Sequence, residues 1–423
     1  MFLRFRLDFY AKILYNLVWL KNLLENRNFY ERAASNNKDN AQKRPDGRES
    51  AGFLDISGGG SMTGKIGIIA LESAQKAGQR VNQILSEWRG GEEFLIPAEC
   101  PRFSSGEAKC VVRESVRDRD IYIMVDVCNN SLTYEMAGET NRMSPDDHYQ
   151  DLKRVIAACN GKAGRITVIM PFLYEGRQHR KTTRESLDCA VMLRELESMG
   201  VHSLITFDAH DPRMQNVVPL MSFENVSPAL QFTQAFLAEY EDLRLDSEHM
   251  MFIAPDEGAT ERVVFLASLF GINIGMFYKR RDYTRIVNGS NPVVAHEFCG
   301  SSVKDKDVIV VDDMIASGGS ILDTARQLKE MGCRRVFLFS TFGLFTSGFD
   351  KFDKAYADGW FDRVFTTNLV YQKPELKEKP WYFSVNMDRY VAALVDTLNK
   401  GSTLSEIIKP AGRIKQALEL YKG

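Results

Sequence analysis

The densest group of residues able to do chemistry is Val308-Ile309-Val310-Val311-Asp312-Asp313-Met314-Ile315-Ala316-Ser317-Gly318-Gly319-Ser320. A continuous apolar run reads as a buried strand. Two carboxylates close it, and a loop with two glycines and two hydroxyls leads straight into a helix. Ligands of open α/β sheets bind outside the carboxyl ends of strands, where this loop must lie. Gly318 and Gly319 allow an anion close to the backbone, and the amides at the start of the next helix favour phosphate. Ser317 and Ser320 add hydroxyl donors, and Ser320 is also a fair N-cap. Asp312 and Asp313 would repel phosphate; they suit sugar hydroxyls or a magnesium-bound sugar. A phosphate site beside a polyol site describes a sugar phosphate. The plainer reading is an Asp-containing turn with a capping serine. The Walker and dinucleotide fingerprints are absent from the sequence.

Other groups suit a nucleoside triphosphate. Arg177, Arg180 and Lys181 fall in a polar loop after an apolar run and Pro171, and Lys279-Arg280-Arg281 follows the run Ile274–Phe277. Transfer from a polyphosphate demands such cations. His210 shares a turn with Asp208 and Asp211, and Asp256 follows Met251–Ala254 and Pro255. Both are candidates for a magnesium–ATP site. Phe103, ahead of Ser105 and Glu107, offers a stacking face and an acceptor for adenine. Each has a plainer alternative: solvated basic turns for the cations, a hydrogen-bonded structural histidine for His210, a core aromatic for Phe103.

The elements that must position these groups follow a simple rhythm. Apolar runs Ile66–Ala70, Ile121–Val125, Ile166–Met170 and Leu204–Phe207 form one series, and Met251–Ala254, Ile274–Phe277, Val308–Val311 and Val336–Ser340 another. Runs without alternation indicate parallel strands covered on both faces. Helical stretches lie between them, such as Glu185–Met199 ended by Gly200 and Ser320–Met331 ended by Gly332. Alternating β and α elements predict two doubly wound parallel-sheet α/β domains in tandem. The expected divisions are residues 1–61 as a flexible extension and linker, 62–222 as an ATP-side domain and 223–423 as a sugar-phosphate-side domain. The C-terminal tail is expected to pack back on the first domain.

The loop at 312–320 resembles the phosphoribosyl-pyrophosphate loop shared by type I phosphoribosyltransferases and ribose-phosphate pyrophosphokinases. The tandem halves favour the second family. Its pattern is similar in order to Arg102-Phe103-Ser104-Ser105-Gly106-Glu107, Glu114-Ser115-Val116-Arg117, Pro171-Phe172, Gly176-Arg177-Gln178-His179-Arg180-Lys181, Asp208-Ala209-His210, Pro255-Asp256-Glu257-Gly258-Ala259 and Lys279-Arg280-Arg281. The resemblance implies two domains of the type I phosphoribosyltransferase kind and magnesium-dependent pyrophosphoryl transfer from ATP to ribose 5-phosphate. It implies Lys279 and Arg281 as catalytic cations, and Phe103, Ser105, Glu107, Arg177 and Gln178 at ATP. It implies Asp312, Asp313, Ser317, Gly318, Gly319 and Ser320 at ribose 5-phosphate, and His210 and Asp256 at the metal. In this family the Phe103 segment reaches a neighbouring subunit, which implies a homo-oligomer, dimer-based and up to a hexamer. Inorganic phosphate or ADP are candidate regulators. Three substitutions depart from the pattern: Ser105 and Ala316 where the family has Asp, and Ala209 where it has Leu. Residues 129–150 are extra. A phosphoribosyltransferase and a non-catalytic regulatory paralogue remain the alternatives.

Composition excludes other classes. The chain has 423 residues, 44% hydrophobic and 26% charged, with net charge −2. It has no global field for nucleic acid or an anionic membrane. The stretch Tyr10–Leu24, interrupted by Lys12 and Lys21, is too short to span a bilayer. Seven scattered cysteines without a Cys-x-x-Cys pair fit a reducing cytosol and read as buried apolar thiols. A cytoplasmic enzyme is expected. The polar segment Ala33–Ser61 reads as linker, so residues 1–61 are either an extension ahead of a native start at Met62 or a docking arm.

Overall fold

The computed structural model describes residues 64–281 and 293–422, without the side chains at 279–281, 293–296, 406 and 422. The expectations for residues 1–61 lie outside this range. Along the chain come β1 (Ile66–Ala70), α1 (Gln75–Trp88), a hairpin of β2 (Ala98–Glu99) and β3 (Val111–Val112), and β4 (Asp120–Met124). A second hairpin, β5 (Thr133–Met136) and β6 (Glu139–Arg142), precedes α2 (Pro145–Cys159), β7 (Arg165–Ile169), α3 (Asp188–Ser198), β8 (Ser203–Phe207) and β9 (Ser222–Val226). Then follow α4 (Ala229–Glu239), β10 (Met250–Ala254), α5 (Thr260–Phe270), β11 (Ile274–Arg281), β12 (Val293–Cys299) and β13 (Asp307–Ile315). The chain continues through α6 (Gly319–Glu330), β14 (Arg335–Gly343), α7 (Asp350–Ala357), β15 (Arg363–Thr367), β16 (Tyr382–Val385), α8 (Asp388–Asn399), α9 (Ser405–Ile408) and α10 (Ala411–Lys422).

Seven of the continuous apolar runs become parallel strands covered on both faces, whereas β11 leaves Ile274 and Tyr278 exposed on one face. The first sheet has the order β1-β4-β7-β8-β9, all parallel. Leu95 bridges in parallel to Ile68, so the chain turns back at β1 before crossing to β4. Ile69, Ile121, Ile123, Val168 and Leu204 pack with Leu152, Val155, Leu193 and Leu196 of α2 and α3. The second sheet has the order β12-β11-β10-β13-β14-β15-β16, with only the β11–β12 pair antiparallel. Its winding reverses between β10 and β13. One face packs on α6 and α7 through Val308, Val310, Leu322, Leu328, Phe352 and Trp381.

The remaining faces of both sheets share one core, which joins Ile68 and Tyr122 to Leu85, Phe236, Phe252, Phe339, Leu394 and Ile414. The helix α8 lies against α1, with Arg80 to Asp388 at 2.7 Å and Arg89 Nε to Asp396 at 2.9 Å. Helix α10 packs on α4 and α5.

All eight expected strands form. The largest change is β11, which runs on through Lys279 and Arg281, opposite His296 and Val293 of β12. The basic run therefore sits within a hairpin strand rather than after a strand. Strand β9 spans the expected division at 222/223.

Candidate active site

The two sheets bring the carboxyl ends of β7, β8, β13 and β14 around a cleft of about 230 Å³ open to solvent, lined by Phe172, Arg177, Asp208, His210 and Asp313 among others. A reversal of winding opens a crevice at strand ends. Between β10 and β13 it sets Asp256, just after β10, near Asp312 and Asp313.

Asp208 ties the halves together. It adopts φ 41°, a left-handed conformation that ordered surroundings must hold. Strand β9 does part of that: Asp208 N–H donates to the Val226 carbonyl at 3.0 Å, and Ala209 N–H to Asn225 Oδ1 at 2.9 Å. From the second half, Thr341 Oγ1 donates to Asp208 Oδ2 at 2.7 Å, and Arg262 Nε to Asp208 Oδ1 at 3.2 Å. His210 Nδ1 meets Asp313 Oδ2 at 2.6 Å. With the Nδ1 proton donated to Asp313, Nε2 keeps the lone pair that could ligate a metal.

The charges are unevenly matched. Burial, with Asp313 and Asp256 nearby, pushes the Asp312 carboxyl well up. Burial also raises Asp313, but the His210 hydrogen bond and Arg262 outweigh it and hold that carboxyl below its usual range. Arg262 is pulled down by burial and raised further by Asp208, Asp313 and Asp312. Carboxylate oxygens suit magnesium with substrate oxygens completing its shell, but no three of these side chains converge on one point; among the described residues the set that does is Asp246, Glu248 and His249.

The 312–320 loop passes directly from strand to helix. β13 continues past both carboxylates to Ile315, so Asp312 and Asp313 lie within the strand. Ser320 is not the N-cap: α6 starts at Gly319, and Gly318 caps it with φ 81° and no side-chain bond. A Cβ at Gly318 would run into the ring of Phe352, whereas one at Gly319 would meet only Ser317 Oγ, at 4.0 Å. The first turn of α6 aims N–H groups that no helical carbonyl can reach into that open space.

Other expected residues fall elsewhere. Arg177 and Gln178 are exposed after β7, Arg177 at the cleft. Asp211 turns away from His210 to Arg213 at 2.7 Å, and chiefly that bond lowers its carboxyl to about 2. Phe103, Ser105 and Glu107 line no part of this cleft. They sit on the loop between β2 and β3, with Phe103 51% exposed and Ser105 Oγ donating to Glu107 Oε2 at 3.0 Å. The side chains of Lys279 and Arg281 lie outside the described ones. Arg262 and Thr341 escaped the sequence reading. Only an arginine among the apolar residues of α5, six positions after Asp256, hinted at the first.

Comparison with known proteins gives a consistent picture. The family model for the N-terminal domain of ribose phosphate pyrophosphokinase matches residues 66–200, and that for the phosphoribosyl transferase domain matches residues 227–378. The ribose-phosphate pyrophosphokinase of Pasteurella multocida is 28% identical over 286 residues, 67% of this chain and 82% of that protein. That of Vibrio parahaemolyticus is 26% identical over 315 residues, 74% of this chain and 90% of that protein. The crystal structure of phosphoribosylpyrophosphate synthetase from Mycobacterium smegmatis shares the fold. Its TM-score is 0.64 at 21% identity, covering 80% of this chain and 100% of that one.

Proposed function

Since the chain belongs to the ribose-phosphate pyrophosphokinase family, we propose that it transfers the pyrophosphoryl group of ATP to the C1 hydroxyl of ribose 5-phosphate. AMP and 5-phosphoribosyl 1-pyrophosphate are the products. The observation that supports this reading is the acidic point of reversal, where Asp256 stands near Asp312 and Asp313, ahead of the open helix start at Gly319.

In this reading residues 62–222 form the ATP side and 223–423 the ribose 5-phosphate side. The sugar's phosphate rests on the amides at the start of α6 with Ser317 and Ser320, and Asp312 and Asp313 accept its hydroxyls. Arg177 and Gln178 hold the ATP phosphates, and Lys279 and Arg281 stabilise the transferring β-phosphoryl group. The C1 oxygen attacks the β-phosphorus in line, and the bridging oxygen leaves with AMP. Magnesium, held by His210 and Asp256, would neutralise the phosphate charge. The protein's part is positioning and electrostatics. The enzyme acts in the cytoplasm as a dimer-based homo-oligomer, in which Phe103, Ser105 and Glu107 reach a neighbour's adenine. Inorganic phosphate or ADP would regulate it.

The test is an assay with magnesium, ATP and ribose 5-phosphate, with and without inorganic phosphate, resolving AMP and 5-phosphoribosyl 1-pyrophosphate. Equal amounts of both products, abolished by Lys279→Ala, are expected. Substrate binding with no product under any condition would favour a regulatory paralogue instead.

A further inference from the structure

The expectation of buried thiols holds for Cys159, Cys189 and Cys333, whereas Cys100, Cys110 and Cys128 are half-buried and Cys299 is exposed. Two of the half-buried ones stand opposite each other. Ala98 pairs with Val112 and Glu99 with Val111, and beyond them Arg102 bridges to Ala108 in the same register. In that register Cys100 faces Cys110.

The backbone bonds identify the type of pair. Arg113 N–H donates to Pro97 at 2.9 Å, Lys109 to Pro101 at 3.3 Å and Phe103 to Glu107 at 2.7 Å. Bonded pairs alternate with unbonded ones, so Cys100 and Cys110 occupy an unbonded, narrow position. There the Cα atoms of an antiparallel ladder lie about 4.5 Å apart, inside the roughly 4.4–6.8 Å span of disulfides. The Cys100 thiol donates a hydrogen bond to Cys110, and that bond, with help from Arg154, holds the Cys110 thiol below its usual range. Burial and Asp151 oppose this shift. Cys110 is thus the better nucleophile of the two.

We propose that Cys100 and Cys110 form a reversible disulfide that closes the neck of the loop bearing Phe103, Ser105 and Glu107, and so lowers affinity for ATP. The effect on ATP rests on the functional reading above; the disulfide itself does not. The oxidant is a low-molecular-weight disulfide, RSSR. The Cys110 thiolate attacks one sulfur of RSSR, forming a mixed disulfide and expelling RS⁻, which takes up the proton Cys110 lost. Cys100, deprotonated, then attacks the Cys110 sulfur and expels the second RS⁻, which takes up the second proton. Two protein thiols are oxidised, and RSSR is reduced to two RSH. Closure fixes the strands on either side of the loop at one twist, so Phe103 and Glu107 lose the freedom to settle around a base.

The test treats the full-length protein with oxidised glutathione, then compares tryptic peptides and the equilibrium Kd for a non-hydrolysable ATP analogue with magnesium. Arg102 and Lys109 separate the two cysteines, so trypsin leaves them on different peptides joined only by the bond. The expected result is the linked pair, released by dithiothreitol, together with a higher Kd that returns on reduction. Cys110→Ser, which lacks the attacking thiol, should show neither change and should bind the analogue like the reduced wild type. A link from Cys110 to Cys159, or separate glutathione adducts without the pair, overturns the proposal. So does a linked protein with unchanged Kd. If neither form binds the analogue, the ATP-dependent half of the proposal falls with the functional reading, while the peptide result still decides whether the disulfide forms.

Discussion

Two adjacent glycines at the start of α6 do different work. Gly318 needs its left-handed backbone and has the Phe352 ring where a side chain would go. Gly318→Ala should therefore cost about 1–2 kcal/mol from the backbone alone, and more from the displaced ring. Thermal unfolding would read this as a lowered midpoint. Gly319 has neither constraint, since its φ is not positive and its Cβ direction is open. Gly319→Ala should leave the midpoint nearly unchanged while raising KM for ribose 5-phosphate, because the methyl enters the space proposed for phosphate. Equal midpoints for the two variants would contradict this division. The glycines, both aspartates and Ser317 were readable from their local pattern. Arg262 and Thr341 were not, because nothing near them in sequence says that the start of α5 and the end of β14 lie beside Asp208.

At the scale of elements, the hairpin β5–β6 within the extra segment has a visible task. Its turn, Ala137-Gly138, takes φ 53° and 86°, which suits a tight two-residue connection. It braces the loop between β2 and β3. Ala137 N–H donates to the Ser104 carbonyl at 2.9 Å, Arg102 lies 4.7 Å from the centre of the Tyr134 ring, and a Cβ at Gly106 would meet Met136 Sδ. Replacing residues 132–142 by a short Gly-Ser link should remove about 1 kcal/mol of support, read as about a fivefold rise in KM for ATP with KM for ribose 5-phosphate unchanged. A matching rise in both constants would mean general damage instead.

Seven of the eight expected strands could be read from sequence because burial on both faces makes them uninterrupted apolar runs; β11, exposed on one face, showed only the short run Ile274–Phe277. Strands β9, β15 and β16 escaped because Ser222–Val226, Arg363–Thr367 and Tyr382–Val385 mix polar residues into edge or near-edge positions. The hairpins escaped because strands of two to four residues carry too little pattern.

Across the whole molecule, the halves are joined by buried polar contacts with measurable signatures. Asp126, after β4, accepts from Cys128 N–H at 2.9 Å and from Tyr371 N–H of the other half at 2.6 Å. Burial outweighs both donors and raises its carboxyl to about 7. An unfolded aspartate titrates near about 3.9. Between those values the folded chain holds a proton that the unfolded chain has lost, so this group's stabilisation is full below about pH 4 and fades as pH rises to about 7. Urea midpoints from pH 5 to 8 should therefore fall more steeply for the wild type than for Asp126→Asn. Parallel curves would remove Asp126 from the account. Asn399 offers a second probe, because its Nδ2 donates to Asp120 Oδ2 and to the Gly64 carbonyl, each at 2.9 Å. Asn399→Ala leaves that carboxylate short of a donor and should cost about 1–3 kcal/mol, read in urea unfolding.

The contact of α8 with α1 also bears on how the chain is made. Arg80 leaves the ribosome 308 residues before Asp388, its partner. Until then the apolar side of α1 and one face of the first sheet await the last strands and helices. The first sheet is thus translated first and completed last. A premature stop near the C-terminus would reach the opposite end of the chain, exposing that face to chaperones and proteases and leaving neither half whole.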